Sequence, residues 1–194
     1  GNINLGELFW EVSLTNKKYS MQITLKNKGL LTSLYKFKGI YEVSGNRQND
    51  NIFPKTYKQK WKTNKKEREI EILFENNKVI KIIQNPVEKN LQRINYNEKT
   101  GLKDPLSSFL EIILNKKQSR TIDGRRTYLM KTELNKKNNF IKINIKEYEN
   151  IWSDHKRLDL KYIELHQGSY LNNLILPGLI KIKFKGLVYK ITKI

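Results

Sequence analysis

Two histidines, His155 and His166, are the only side chains suited to general base work near neutral pH without a large pKa shift. Asp154 and Glu164 lie close to them in sequence, and on a strand Glu164 shares a face with His166. A mixed histidine and carboxylate metal site is therefore one chemistry the spacing allows. Two ligands fall short of a coordination shell, and a solvated surface histidine accounts for the same residues. With no cysteine there is no disulfide, no thiolate nucleophile and no cysteine metal site. No G-x-S-x-G elbow, P-loop, dinucleotide-binding glycine run or H-E-x-x-H is present. Glu69 and Glu71 form an acidic pair, yet they alternate among other charges as a solvated strand face does. The chain is read as non-enzymatic, with no catalytic residue, metal or cofactor.

Two further patterns have the composition of binding sites. Asp123-Gly124-Arg125-Arg126 resembles an anion site, but a turn explains it: Asp-Gly favours a type I′ hairpin with positive φ at both central residues. Arg125 and Arg126 would then point to opposite faces of the following strand. From Tyr57 to Lys66, aromatics interleave with lysines, as in single-strand nucleic-acid binders. Strand alternation separates the two: Tyr57 and Trp61 face one way, and Lys58, Lys60 and Lys62 the other. Only neighbouring strands could bring lysines to the aromatic side.

The formal charge is +19 and the pI about 9.9, which raises the prior for nucleic acid, anionic lipid or an acidic partner. The chain has no alanine, far more lysine than arginine, and many isoleucines and asparagines, the bias of a genome poor in G and C. Its lysines are spread over most segments instead of forming one stripe. Nucleic acid is therefore not the expected partner and stands as the alternative.

The elements that would position any site come from a two-residue alternation. Ile180, Ile182 and Phe184 are set between Lys181, Lys183 and Lys185, and Ile141, Ile143 and Ile145 between Lys142, Asn144 and Lys146. Such segments are half-exposed antiparallel strands. Strands are expected at residues 8–15, 19–26, 31–44, 55–63, 67–74 and 78–83, then at 119–122 and 125–130 about the Asp-Gly turn, and at 129–134, 140–146, 160–166, 179–185 and 187–194, about ten to twelve in all. Asn16–Lys18, Asn27–Gly29, Asn64–Lys66 and Asn76-Asn77 supply turns. Pro86 to Gly101 reads as a loop. One helix is expected from Pro105 to about Lys116 or Lys117: Asp104 caps it, Pro105 fits its first position, and Lys116 and Lys117 complement its C-terminal dipole. Leu106, Phe109, Leu110, Ile113 and Leu114 share one helical face. Burying five such side chains is worth about 8 to 15 kcal/mol before entropy. No linker divides the 194 residues, so a single domain is expected. No stretch reaches the roughly 18 apolar residues of a membrane-spanning helix.

Several short pieces resemble a bacterial envelope family known as domain of unknown function 3108. They are Gly39 with Tyr41 and Val43; Tyr57 and Trp61; and Arg68 with Ile70, Ile72 and Phe74. The stronger ones are Asp104-Pro105-Leu106-Ser107, Asp123 through Tyr128, and Leu176-Pro177. The resemblance implies export to a periplasm, with the signal peptide already removed from a chain that begins at Gly1. It also implies a shape similar to lipoprotein carriers and sorting factors. Many relatives carry a cysteine pair that this chain lacks, so no disulfide carries over.

The expected fold is all-β with one central helix: a strongly curved antiparallel sheet, a half-barrel, wrapping the helix. The expected function is non-enzymatic envelope maintenance or carriage of a lipid or other hydrophobic ligand, with an envelope protein as a further candidate partner. The groove candidates are Tyr57, Trp61, Ile70, Ile72 and Phe74 on the sheet and Leu106, Phe109, Leu110 and Ile113 on the helix. The same residues also suit a closed core that acts through protein contacts. Oligomeric state is not legible in the sequence.

Overall fold

The computed structural model describes residues 6–27, 36–135, 139–154, 159–171, 174–184 and 186–192. Two compact units are formed: Gly1–Lys89 with Asn97–Thr100, and Asn90–Tyr96 with Gly101–Ile194.

The first unit is a six-stranded meander: β1 (Gly6–Leu14), β2 (Lys18–Asn27), β3 (Phe37–Gln48), β4 (Asn51–Thr63), β5 (Glu67–Glu75) and β6 (Lys78–Asn85), antiparallel and in sequence order. Its turns follow from local chemistry. Both Thr15 and Thr63 open a Thr-Asn-Lys-Lys turn, and each hydroxyl accepts the backbone N–H three residues on, at 2.9 and 3.0 Å. Asn76 and Asn77 take φ of 49° and 61°, the left-handed pair a tight hairpin needs. At the β3–β4 bulge, a Cβ on Gly45 would run into the carbonyl oxygen of Phe53 and the ring of Tyr19, so only glycine fits.

The second unit begins with a short parallel bridge from Lys103 to Thr121, closed by bonds from Lys103 N to Arg120 O (2.9 Å) and Ile122 N to Lys103 O (2.8 Å). Helix α1 (Pro105–Ile113) follows, then β7 (Gln118–Ile122), β8 (Arg126–Asn135), β9 (Phe140–Asn150), β10 (Leu160–Leu171), β11 (Leu174–Phe184) and β12 (Leu187–Thr192). These strands form a second antiparallel meander in sequence order. The expected class, all-β and antiparallel with one α-helix among the described residues, is what the structure has; neither sheet closes into a barrel.

Three local features differ from the sequence reading. The helix stops at Ile113 because Asn115 adopts φ 70°, and Lys116 N bonds to Glu111 O while Asn115 N bonds to Ile112 O, a left-handed C-terminal cap. Lys116 and Lys117 thus lie beyond the helix. The Asp123 hairpin has positive φ at Gly124 (85°) and not at Asp123, whose carboxylate accepts from the N–H groups of Arg125 and Arg126 at 2.8 and 2.7 Å. A type I′ turn centred on Asp123-Gly124, which needs positive φ at both residues, is therefore not formed. Strand β11 runs through Leu176-Pro177, which the sequence put before the strand; Pro177 sits opposite Gln167 where the register shifts, and a missing donor is tolerated at such a point. Part of the expected strand at 31–44 lies outside the described residues. The loop from Pro86 to Gly101 carries a 3-10 turn at Tyr96–Glu98, a bridge from Gln92 to Trp152 and one from Thr100 to Lys78.

Candidate functional site

The sheet-borne candidates share one face of the first unit. Tyr57 is directly opposite Ile72, Gln59 opposite Ile70, and Trp61 opposite Arg68; Phe74 continues the same alternation. Burial along this face is graded. Tyr57, Ile70, Ile72 and Phe74 are buried, as are Tyr19, Met21 and Val43 on the neighbouring strands. Towards the other end Trp61, Tyr41, Ile23, Leu25 and Trp10 are only half-buried. Burial pushes the Tyr41 phenol pKa up. Gly39 leaves room there for the rings of Tyr41 and Phe37 to fold across the backbone.

The opposite face of β4 and β5 is a ladder of ions. Lys58 pairs with Glu71 at 3.3 Å, Lys62 with Glu67 at 3.0 Å, and Lys60 with both Glu67 (3.1 Å) and Glu69. The ammonium of Lys62, with that of Lys60, holds the Glu67 carboxyl below the usual range, and Glu69, with Glu67, holds Lys60 above its own. The lysines that suggested a phosphate-binding strand are thus balanced by glutamates directly across from them.

Polar groups also stand on the apolar face. Gln59 and Gln84 flank Ile70 from the two neighbouring strands, and Arg68 lies two residues along β5 from Ile70, beside Trp61. Gln59 Oε1 accepts from the Tyr57 hydroxyl at 3.1 Å. Gln84 is 8 % exposed, and neither its Nε2 nor its Oε1 has a hydrogen-bond partner among the described residues. Arg68 is half-buried, and no ion pair holds it among the described residues. Alternation with Ile70, Ile72 and Phe74 was the signal that could have placed Arg68 on this face.

The helix-borne candidates Leu106, Phe109, Leu110 and Ile113 lie on α1 in the second unit, which packs against β7 and β11. All of Leu106–Ile113 is buried, the polar flank included. Asp104 caps the helix through Oδ1, which accepts from the N–H groups of Leu106 and Ser107 at 3.0 Å, while the Ser107 hydroxyl bonds to Oδ2. Burial pushes the Asp104 carboxyl up to about 6 against those bonds. On the polar flank, the Ser119 hydroxyl donates to Glu111 Oε2 at 2.8 Å and the Thr121 hydroxyl donates to Ser108 Oγ at 2.8 Å. Glu111 Oε1 lies 2.6 Å from Lys116 Nζ and 3.6 Å from Lys103 Nζ. Burial lowers the Lys103 pKa. The sequence reading missed this cluster because helical periodicity left Glu111 on the solvent side. It has the makeup of a structural clasp: every oxygen of Glu111 is engaged by groups of its own unit.

Arg125 and Arg126, expected on opposite faces, instead converge on Asp154 Oδ2 at 2.7 and 2.9 Å. They can do so because Arg125 belongs to the turn and only Arg126 to β8. Asn150 Nδ2 bonds to Asp154 and Trp152 Nε1 to Gly124 O at 2.9 Å, so the motif is knitted to the chain that follows β9. Burial opposes the Asp154 charge, but Arg125 and Arg126 outweigh it and hold the carboxyl below its ordinary value. Of the histidines, His155 lies outside the described residues. His166 shares a face with Glu164 as expected, 3.3 Å from Oε2, beside the Phe140 ring; Lys181 also reaches Glu164, at 3.6 Å. Among the described residues no group of three or more histidines and carboxylates is placed to hold a metal ion. Among the described residues no helix is long and apolar enough to cross a membrane.

Comparison with known proteins adds one finding. The model of one family, described as "Protein of unknown function (DUF3108)", matches residues 1–149. No curated protein and no solved structure matches the chain.

Proposed function

From the premise that this chain belongs to the DUF3108 family of proteins of unknown function, we propose that it is an exported, non-enzymatic protein of the bacterial envelope that binds a lipid or other hydrophobic ligand. The observation that carries this reading is the graded face of the first sheet. Its Tyr57 end is buried, while Trp61, Tyr41, Trp10, Ile23 and Leu25 keep part of their apolar surface in water. Adjoining apolar side chains held on a rigid sheet are a ready surface for a ligand. Neutralisation of the β4 lysines by Glu67, Glu69 and Glu71 weighs against the nucleic-acid alternative. Burial of α1 around its whole circumference favours a second reading, a closed structural domain acting through protein contacts.

A dye that fluoresces in apolar surroundings, N-phenyl-1-naphthylamine, separates the two when titrated into the delipidated protein. Saturable binding that survives high salt and weakens on Trp61→Asp supports the ligand site, because apolar burial is little screened. Absence of saturable binding favours the closed domain. Cell fractionation of the protein expressed with its native N-terminus tests export.

A further inference from the structure

Gln84 and Arg68 fit poorly into a face built only to be apolar. A buried amide with both ends unpaired is costly unless something polar meets it, and the half-buried Arg68 stands directly across from Trp61 with no ion pair among the described residues. Both stand next to Ile70: Gln84 directly across from it, and Arg68 two residues along the same strand, on the same face. Diagonal neighbours of this kind are about 7 to 8 Å apart, so one small group can touch both side chains. Glu67, Glu69 and Glu71 alternate to the opposite face and are engaged there by lysines. The polar corner thus carries donors, and the glutamates of β5 lie on the other face, which suits an anion.

We infer that the ligand is a long-chain fatty acid whose carboxylate is held by Arg68 and Gln84. This deepens the hydrophobic-ligand reading and rests on it. The guanidinium fork matches the two oxygens of a carboxylate, and one cation balances one charge. The Gln84 amide donates a further bond. The acyl chain runs from this corner over Trp61 and across the half-buried side chains of β3 and β2, Tyr41 and Leu25 among them. That is about three strand spacings, or roughly 14 Å.

The test compares laurate with 1-dodecanol, which share a chain and differ in charge, by calorimetric titration of the delipidated full chain. Laurate binds the native protein roughly tenfold or more tightly than dodecanol, as expected for a charge-assisted pair. Arg68→Gln brings the two affinities together without weakening dodecanol, and Arg68→Lys gives an intermediate ratio. The carboxyl carbon of bound [1-13C]laurate titrates at lower pH than the free acid, a shift lost in Arg68→Gln. Gln84→Leu weakens laurate several-fold while leaving thermal stability the same or higher; a purely structural Gln84 would leave laurate affinity unchanged. Equal affinities of the native protein for laurate and dodecanol, or a ratio unaltered in both Arg68 variants, overturn the fatty-acid assignment and leave the hydrophobic site standing. If neither compound binds the native protein, both readings fail together.

Discussion

Replacing Glu111 by leucine is expected to cost about 3 to 5 kcal/mol of stability, the range for breaking a buried ion pair by removing one partner. Glu111 is 2 % exposed, and its carboxylate stands between Lys116 at 2.6 Å, Lys103 at 3.6 Å and the Ser119 hydroxyl at 2.8 Å. Loss of the carboxylate affects the three unequally. Lys116 is 32 % exposed in its side chain and can turn to water, and Ser119 retains Ser108 at 3.1 Å. Lys103, 10 % exposed, is left as a charge with poor access to solvent. The double replacement Glu111→Leu with Lys103→Met should therefore recover most of the loss, giving a coupling of about 2 kcal/mol or more. Urea unfolding of the four proteins in the cycle measures it. The pH dependence supplies an independent sign. Burial already holds the Lys103 pKa below 10.5 and Glu111 props it up, so removing Glu111 lowers it further. A depressed folded-state pKa gives stability that is present above the unfolded value and lost as pH falls through the folded one. The cost of Glu111→Leu should shrink as pH approaches 10.5. Additive single losses, or a cost independent of alkaline pH, would refute the clasp.

Two further expectations concern the capping aspartate and the tightest glycine. Asp104 has a folded-state pKa raised from 3.8 to about 6, so its contribution is fully present below 3.8 and lost as pH rises through about 6. The stability of the native protein relative to Asp104→Asn should fall by about 3 kcal/mol from pH 3.5 to 7 by chemical denaturation, and a flat difference would contradict the buried carboxyl. Gly45→Ala should cost about 3 kcal/mol or more, because its Cβ meets the backbone at Phe53 and Pro54, which cannot turn away; a lowered urea midpoint with an unchanged slope reads this out.

The strands were legible because a half-buried antiparallel sheet writes its period into the residues. Ile70, Ile72 and Phe74 alternating with Glu69 and Glu71 identify both the strand and its buried face, and Asp104-Pro105 marks the helix start from capping chemistry alone. The helix end was less legible, since the helical period and the two lysines after Asn115 allow another turn, and nothing local announces that Asn115 takes the left-handed conformation. Long-range pairings were not legible at all. The convergence of Arg125 and Arg126 on Asp154, some 28 residues away, depends on where the chain after β9 returns, which no local period encodes. The same holds for Lys103 and Glu111, brought together by a parallel bridge to Thr121. The polar corner of the first sheet lay in between. Period two assigns Arg68 to the apolar face, but only the register with β6 puts Gln84 beside Ile70.

Native mass spectrometry of the protein purified from the envelope fraction, followed by organic extraction of anything bound, tests the central claim most directly. The account predicts a co-purifying hydrophobic molecule that is lost in Trp61→Asp while the fold is retained by circular dichroism. A clean apo mass from the envelope, with no lipid in the extract, would contradict it.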